Sequence, residues 1–240
     1  ESYCDLETAD SPSVLVAHDG SLISLIQISG VTQLIGSTEF ERLHEGLTLT
    51  LQTALSRSGH ALQVLFQYDR EAVSDLLNET LQPGKQTSQR LHLDLKDLFA
   101  ERVSFLSKHC ASESVYFVLW TRPSNLTTEQ YQRATKDKLK YIRDKKIAPS
   151  QLTQSVIAAI PDLRDTHDAF VRSVMHDLAN LNIAADLLEV HDAVHAIRAL
   201  ADPAFTDKDW RPALPGDKIP LKEYDKLPHN ISDILWPSLA

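Results

Sequence analysis

His191-Asp192-Ala193-Val194-His195 places two imidazoles one helical turn apart, the spacing at which a pair of histidines can share a metal ion. Asp192 stands where zincin-type hydrolases carry a glutamate base, but its side chain is shorter, and no third ligand follows at the usual spacing. The structural alternative is a helix N-terminus in which the Asp192 carboxylate meets the helix dipole. A metal-dependent hydrolase using His191 and His195 is thus kept as the alternative function, and neither histidine is assigned as a ligand.

Three other groupings invite chemistry and reduce to ordinary structure. Asp162, Asp165, His167 and Asp168 resemble an acid/base cluster, yet acidic residues in the first turn of a helix stabilise the exposed amides there. His109 and Cys110 are adjacent, and neighbours on a helix point about 100° apart, so adjacency does not make a dyad. Leu81-Gln82-Pro83-Gly84-Lys85-Gln86 contains a Gly-Lys pair, but a phosphate loop needs a glycine five residues earlier and Ser or Thr after the lysine, where Glu79 and Gln86 stand. A turn between two helices is expected there. No catalytic, cofactor-binding or metal-binding residue is assigned, and this stretch of chain is not expected to be an enzyme.

The stretch from Lys136 to Lys146 is the candidate for partner contact. It carries Lys136, Lys138, Lys140, Arg143, Lys145 and Lys146 against Asp137 and Asp144, on a helix that also holds Tyr131, Tyr141 and Ile142. A solvated helix face is the ordinary reading of such a run. The functional one is an electrostatic contact with an acidic protein, an anionic lipid or a nucleic acid.

The elements that would position these residues follow from periodicity. Asp19-Gly20 between Val14-Leu15-Val16-Ala17 and the apolar run Leu22 to Ile28 predicts an opening β-hairpin. Thr38 and Glu41 can form a capping box for an amphipathic helix carrying Phe40, Leu43, Leu47, Leu51 and Leu55, closed by Gly59. Residues 61–68 read as a strand and 70–82 as a helix ended by Pro83-Gly84. A longer helix then carries Leu91, Leu95, Leu98, Arg102, Phe105 and Leu106. Val115 to Trp120 is a continuous β-branched and aromatic run, suited to a central strand buried on both faces. Thr127 or Thr128 caps a helix through Lys146, and Pro149-Ser150 starts another segment through Ile160. Leu163, Phe170, Val174, Leu178 and Leu181 share one face of the next helix. Ala184 to Val190 reads as a last strand and His191 to Ala201 as a closing helix. These elements predict an α+β fold, with a mixed, largely antiparallel sheet of about five strands packed with several helices.

Composition bounds the rest. The chain has 240 residues, 42% apolar and 24% charged, enough to bury a core, and no Gly/Ser-rich linker interrupts residues 13–202, which read as one domain after an N-terminal extension over 1–12. Six of the 11 prolines (203, 212, 215, 220, 228 and 237) fall after residue 202, so 203–240 is expected to be an extended, docked tail or a linker to a following domain. The net charge of -9 repels phosphate backbones in the mean, and direct nucleic-acid binding is not expected. Cys4 and Cys110 are too few for a disulfide framework, which fits a reducing compartment. No apolar run of about 18 residues and no basic-then-apolar leader occurs. The sequons at Asn78, Asn125 and Asn230 carry no weight without a leader. Glu1 at the start, Met175 as the only methionine and the apolar end around Ile234-Leu235-Trp236-Pro237 read as boundaries of a piece of a longer chain.

The opening Asp19-Gly20-Ser21-Leu22-Ile23-Ser24-Leu25-Ile26-Gln27-Ile28-Ser29-Gly30, followed by a long helix, resembles the start of the VirB/TraC-type ATPases of conjugation and type IV secretion. The likeness is closest to their IVB branch, the DotO (IcmB) and TraU proteins. Leu181 to Asp192, running into Ile197-Arg198-Ala199-Leu200-Ala201-Asp202-Pro203, is similar to the strand and short helix that precede the linker in that family. The resemblance spans residues 13–205. It implies a non-catalytic N-terminal domain that anchors a motor, peripherally and from the cytoplasm, at the bacterial inner membrane. Implied partners are inner-membrane components of the secretion system, a second cytoplasmic ATPase and further copies of the full-length protein. ATP and Mg belong to the implied parent; neither the motor's phosphate loop nor its metal-binding acid is in this chain.

Overall fold

A computed structural model describes residues 6–31, 33–70, 72–145 and 161–202, together with 205, 207, 209–212, 214, 231 and 235; at 138, 141, 142, 145, 161 and 162 it describes the backbone alone. The elements are β1 (Leu6–Ser11), β2 (Val14–Ala17), β3 (Leu22–Val31), α1 (Ser37–Ala54), β4 (His60–Asp69), α2 (Val73–Arg90), α3 (Lys96–Leu106), β5 (Ser112–Thr121), α4 (Thr128–Lys145), α5 (Pro161–Asn180), β6 (Ile183–Leu187) and α6 (Val190–Ala201). The fold is α+β, as the patterning predicts. The six-stranded, mostly antiparallel sheet runs β1-β2-β3-β5-β4, with β6 paired to β3. The segment expected over Pro149 to Ile160 lies outside the described residues.

The hairpin turns where its residue types require. Gly20 takes φ +83°, the Asp19 carboxylate accepts the Ser21 N–H at 2.8 Å, and the Ala17 N–H reaches the Ser21 carbonyl at 2.9 Å. Strand β3 then takes β2 against Leu22 and Ile23, and β6 against Ile26 to Val31. Its register with β6 slips between Ile28 and Gly30, so Ser29 is an extra residue, and Gly30 at φ +96° absorbs the bulge.

Strand β1 lies inside the span expected to be an extension. Leu-Glu-Thr-Ala-Asp-Ser has little β-branched or aromatic content, so its own pattern is weak, yet pairing with β2 buries Leu6 and Thr8. Helix α2 also departs from expectation by running through Pro83. The ring removes one main-chain bond, but the Pro83 carbonyl accepts the Thr87 hydroxyl at 2.9 Å and the flanking turns continue. Helix α2 ends instead at Arg90, closed by His92 beyond it, which takes φ +55° while the Leu93 N–H returns to the Ser88 carbonyl at 2.9 Å. Helix α3 therefore starts at Lys96 rather than near Leu91.

Two compact units divide the chain: Glu1–Val64 with Tyr116–Ala240, and Leu65–Val115. No shift of composition marks the boundary, which is why the sequence reads as one domain over 13–202. In the first unit the core is aliphatic: Leu15, Val16, Leu22, Ile23, Leu25 and Ile26 from the hairpin, Leu119 from β5, and Leu163, Val174 and Leu178 from α5. Phe117, Val118 and Leu119 are consecutive and all buried, so both faces of β5 are covered there, as its composition predicts. Helix α1 lies more lightly on the core: Leu43, Leu47, Leu51 and Leu55 are half-buried and Phe40 is exposed. Its Glu39 carboxylate, rather than a Thr38/Glu41 pair, receives the Gly36 N–H, at 3.1 Å. The expected cap of α4 is present, with the Thr127 hydroxyl accepting the Gln130 N–H at 3.3 Å and the Gln130 side chain accepting the Thr127 N–H at 2.9 Å.

In the second unit α2 packs on α3, with the Phe99 ring against Gly84. Its only buried residues among those described are Val73 and Ser88.

Candidate functional site

The residues singled out from sequence are dispersed rather than gathered. Lys136, Lys140 and Arg143 are exposed on α4, and Arg143 lies 3.8 Å from the Asp144 carboxylate. At Lys138 and Lys145 only the backbone is described, and Lys146 falls outside the described residues. His109 and Cys110 are exposed in the turn after α3, where the His109 ring tilts against Phe105 rather than toward the thiol. Asp165 is exposed on α5, and Asp168 is half-buried with its main-chain carbonyl accepting from Arg172 Nε at 3.1 Å.

His167 does not share the fate of its acidic neighbours. Its side chain is fully buried, held between Ser24 of β3 and Thr121 of β5. The Ser24 hydroxyl has one proton and gives it to the Ser13 carbonyl at 2.8 Å, so at its 2.9 Å contact with His167 it must accept from Nε2–H. Thr121 Oγ1–H then donates to Nδ1 at 2.8 Å. Every polar atom of the knot has a partner only if the imidazole is neutral. Burial holds its pKa down to about 4, with the nearby His60 adding repulsion. His60, stacked on Phe170 with ring centroids 4.1 Å apart, is itself lowered, first by burial and also by Arg57, against a bond to the Ala54 carbonyl. A serine beside a histidine here is not a nucleophile and base: no solvent reaches either, and the serine proton points away from the ring. The knot ties β3, β5 and α5 together. Its sequence signal was available, since His167 falls on the Leu163/Phe170/Val174 face and Ser24 interrupts an apolar run.

Arg164 and Asp10 make a second link, an ion pair joining α5 to β1. Breaking one side of it would strand a largely buried carboxylate.

A concave site in the first unit is a cleft of about 520 Å³ between Gln27, Tyr116 and helix α6, closed on one side by Trp210 and Arg211. His191, Asp192 and His195 all line it. One nitrogen of each histidine is engaged: His195 Nε2 bonds the Asp207 carbonyl at 3.0 Å, and Arg211 Nη2 lies 3.4 Å from His191 Nδ1. Among the described residues no group of three His, Cys, Asp or Glu could hold a metal ion. Asp192 sits in the first turn of α6, where its charge favours the dipole. Trp210, which walls one side, comes from the Pro-rich tail and meets Phe205 edge to face.

Exposed apolar surface is concentrated elsewhere, in the Leu65–Val115 unit, where Phe66, Tyr68, Leu91, Leu93, Leu98 and Phe105 are all at least half exposed. Phe66 and Tyr68 share a face of β4, the last strand in the sheet order. No helix among the described residues is long and apolar enough to cross a membrane.

No family model matches the chain, and no curated protein matches it.

Proposed function

We propose that this chain is a non-catalytic docking and assembly domain of a type IV secretion or conjugation ATPase, of the IVB kind that its hairpin and closing strand–helix resemble. It holds the motor at the cytoplasmic side of an inner-membrane complex and contributes to contacts with a second ATPase and with its own copies. The observation that carries the reading is the exposed apolar surface of the Leu65–Val115 unit, which has little core of its own. Burying one Leu or Phe is worth about 1.5–3 kcal/mol. Covering several of these six would offset an association cost on the order of 4–15 kcal/mol. Strand β4 adds a sheet edge with no partner strand among the described residues, a surface that accepts an added strand.

The cleft supports this reading less directly, by what its histidines do: they face the tail rather than a common third ligand. The test is capture from detergent-solubilised inner membranes of a type IV system, with metal measured on the same purified chain. Specific capture of inner-membrane components without stoichiometric metal supports docking. Stoichiometric metal lost on replacing His191 and His195, without capture, makes the chain a metal-dependent hydrolase instead.

A further inference from the structure

The residues that follow α6 are built onto it by a set of contacts too specific for a passive linker. Asp202 caps the helix with its N–H on the Arg198 carbonyl at 2.8 Å, and its own carbonyl accepts the Phe205 N–H at 2.9 Å. The Asp207 carboxylate accepts the Asp209 N–H at 3.0 Å. The Asp207 carbonyl receives His195 Nε2–H. Phe205 and Trp210 consequently reach the same guanidinium, with Arg198 Cζ 4.5 Å from one ring centroid and 4.6 Å from the other. The rings also meet each other edge to face at 5.5 Å, and Phe205 meets the His195 ring at 5.3 Å.

We infer that Phe205, Asp207 and Trp210 form a releasable latch on α6, with Arg198 as its catch, that holds the chain after α6 against that helix and closes one side of the cleft. Two features make it releasable rather than part of the core. The ring contacts are electrostatic and dispersive at a half-buried cation, and Phe205 and Trp210 are themselves only half-buried. The cleft beneath is lined on its other sides by Gln27, Tyr116 and α6, so lifting Trp210 and Arg211 opens it without disturbing the sheet. The guanidinium matters: a lysine keeps the charge but is a compact, strongly hydrated ammonium with no planar face to set against a ring. This inference does not depend on the docking reading.

Amide hydrogen exchange on the full chain tests it. Arg198→Ala and Trp210→Ala should each speed exchange over residues 205–211 on the order of tenfold or more, the factor expected when a guanidinium held by two rings is lost. Exchange in β3 should be unchanged, which reports that the variants are folded, and Arg198→Lys should fall between Arg198→Ala and the parent. In the double variant the effects should not add, because both act on one contact. Unchanged exchange over 205–211 in both single variants with β3 protected, or equally fast exchange already in the parent chain, overturns the latch.

Discussion

His167 Nε2 lies 2.9 Å from Ser24 Oγ although 143 residues separate them in sequence, and the bond runs through the interior with neither side chain reaching solvent. Because the Ser24 proton is committed to the Ser13 carbonyl, the bond has one direction, from Nε2–H to the serine, and it is Thr121 donating to Nδ1 on the other side that matches a neutral ring.

The neutral ring makes stability depend on pH. In the unfolded chain a histidine titrates near 6.5, while here its pKa is held down to about 4, so between those values the unfolded state binds more protons. Stability from this group is fully present above pH 6.5, declines as pH falls, and is lost by pH of about 4; the difference corresponds to about 3 kcal/mol. Urea denaturation at pH 7.5 and pH 4.5 should show this loss in the parent chain, and His167→Asn should show a smaller one. Equal losses in the two would mean that other groups carry the acid sensitivity.

Removing the two hydroxyls should not cost the same. Thr121→Val leaves Nδ1 buried without a donor, at about 1–3 kcal/mol. Ser24→Ala strands both the Nε2–H and the Ser13 carbonyl, and should destabilise more. Denaturation midpoints of the two variants in the same buffer give the ranking.

Gly30→Ala isolates a backbone effect. No atom lies within 4 Å of where a Cβ would stand, but φ is +96°. The expected cost is about 1 kcal/mol with no clash, and Gly30→Asn should cost less because asparagine tolerates positive φ better. Thermal denaturation of the two variants checks the order.

Pro83→Ala should stabilise α2. It restores an N–H within reach of the Glu79 carbonyl and removes the ring from mid-helix, a gain of up to about 3 kcal/mol. Slower amide exchange in α2 would register it; unchanged exchange would mean that the helix is already broken there.

Much of the fold was legible because most elements carry a strong local period: the Asp19-Gly20 hairpin, the β5 run and the apolar face of α5 all lie where their patterns put them. What was not legible depends on contacts distant in sequence. Strand β1 takes its strandness from β2, and Pro83 is tolerated because the turns on either side continue the helix. The division at Leu65 and Val115 leaves no compositional mark. At the candidate site, the pairing of His191 with His195 was readable from spacing. Their engagement by Asp207 and Arg211 was not, since it depends on a tail whose prolines announce only an extended chain. His167 sits among acidic neighbours in the sequence, but its place on the Leu163/Phe170 face marks it as a buried polar residue.

The most direct test of the central claim is capture of inner-membrane secretion components by the full chain beside two variants, Phe66→Asp with Phe105→Asp, and charge reversal at Lys138, Lys140 and Arg143. Because Phe66 and Phe105 are exposed, the first variant should keep the parent's denaturation midpoint while losing capture at least about tenfold, the factor that about 1.4 kcal/mol of lost binding produces. The charge-reversed chain reports whether the basic face of α4 takes part. Undiminished capture by the Phe66/Phe105 variant, or no capture by the parent, would contradict the account.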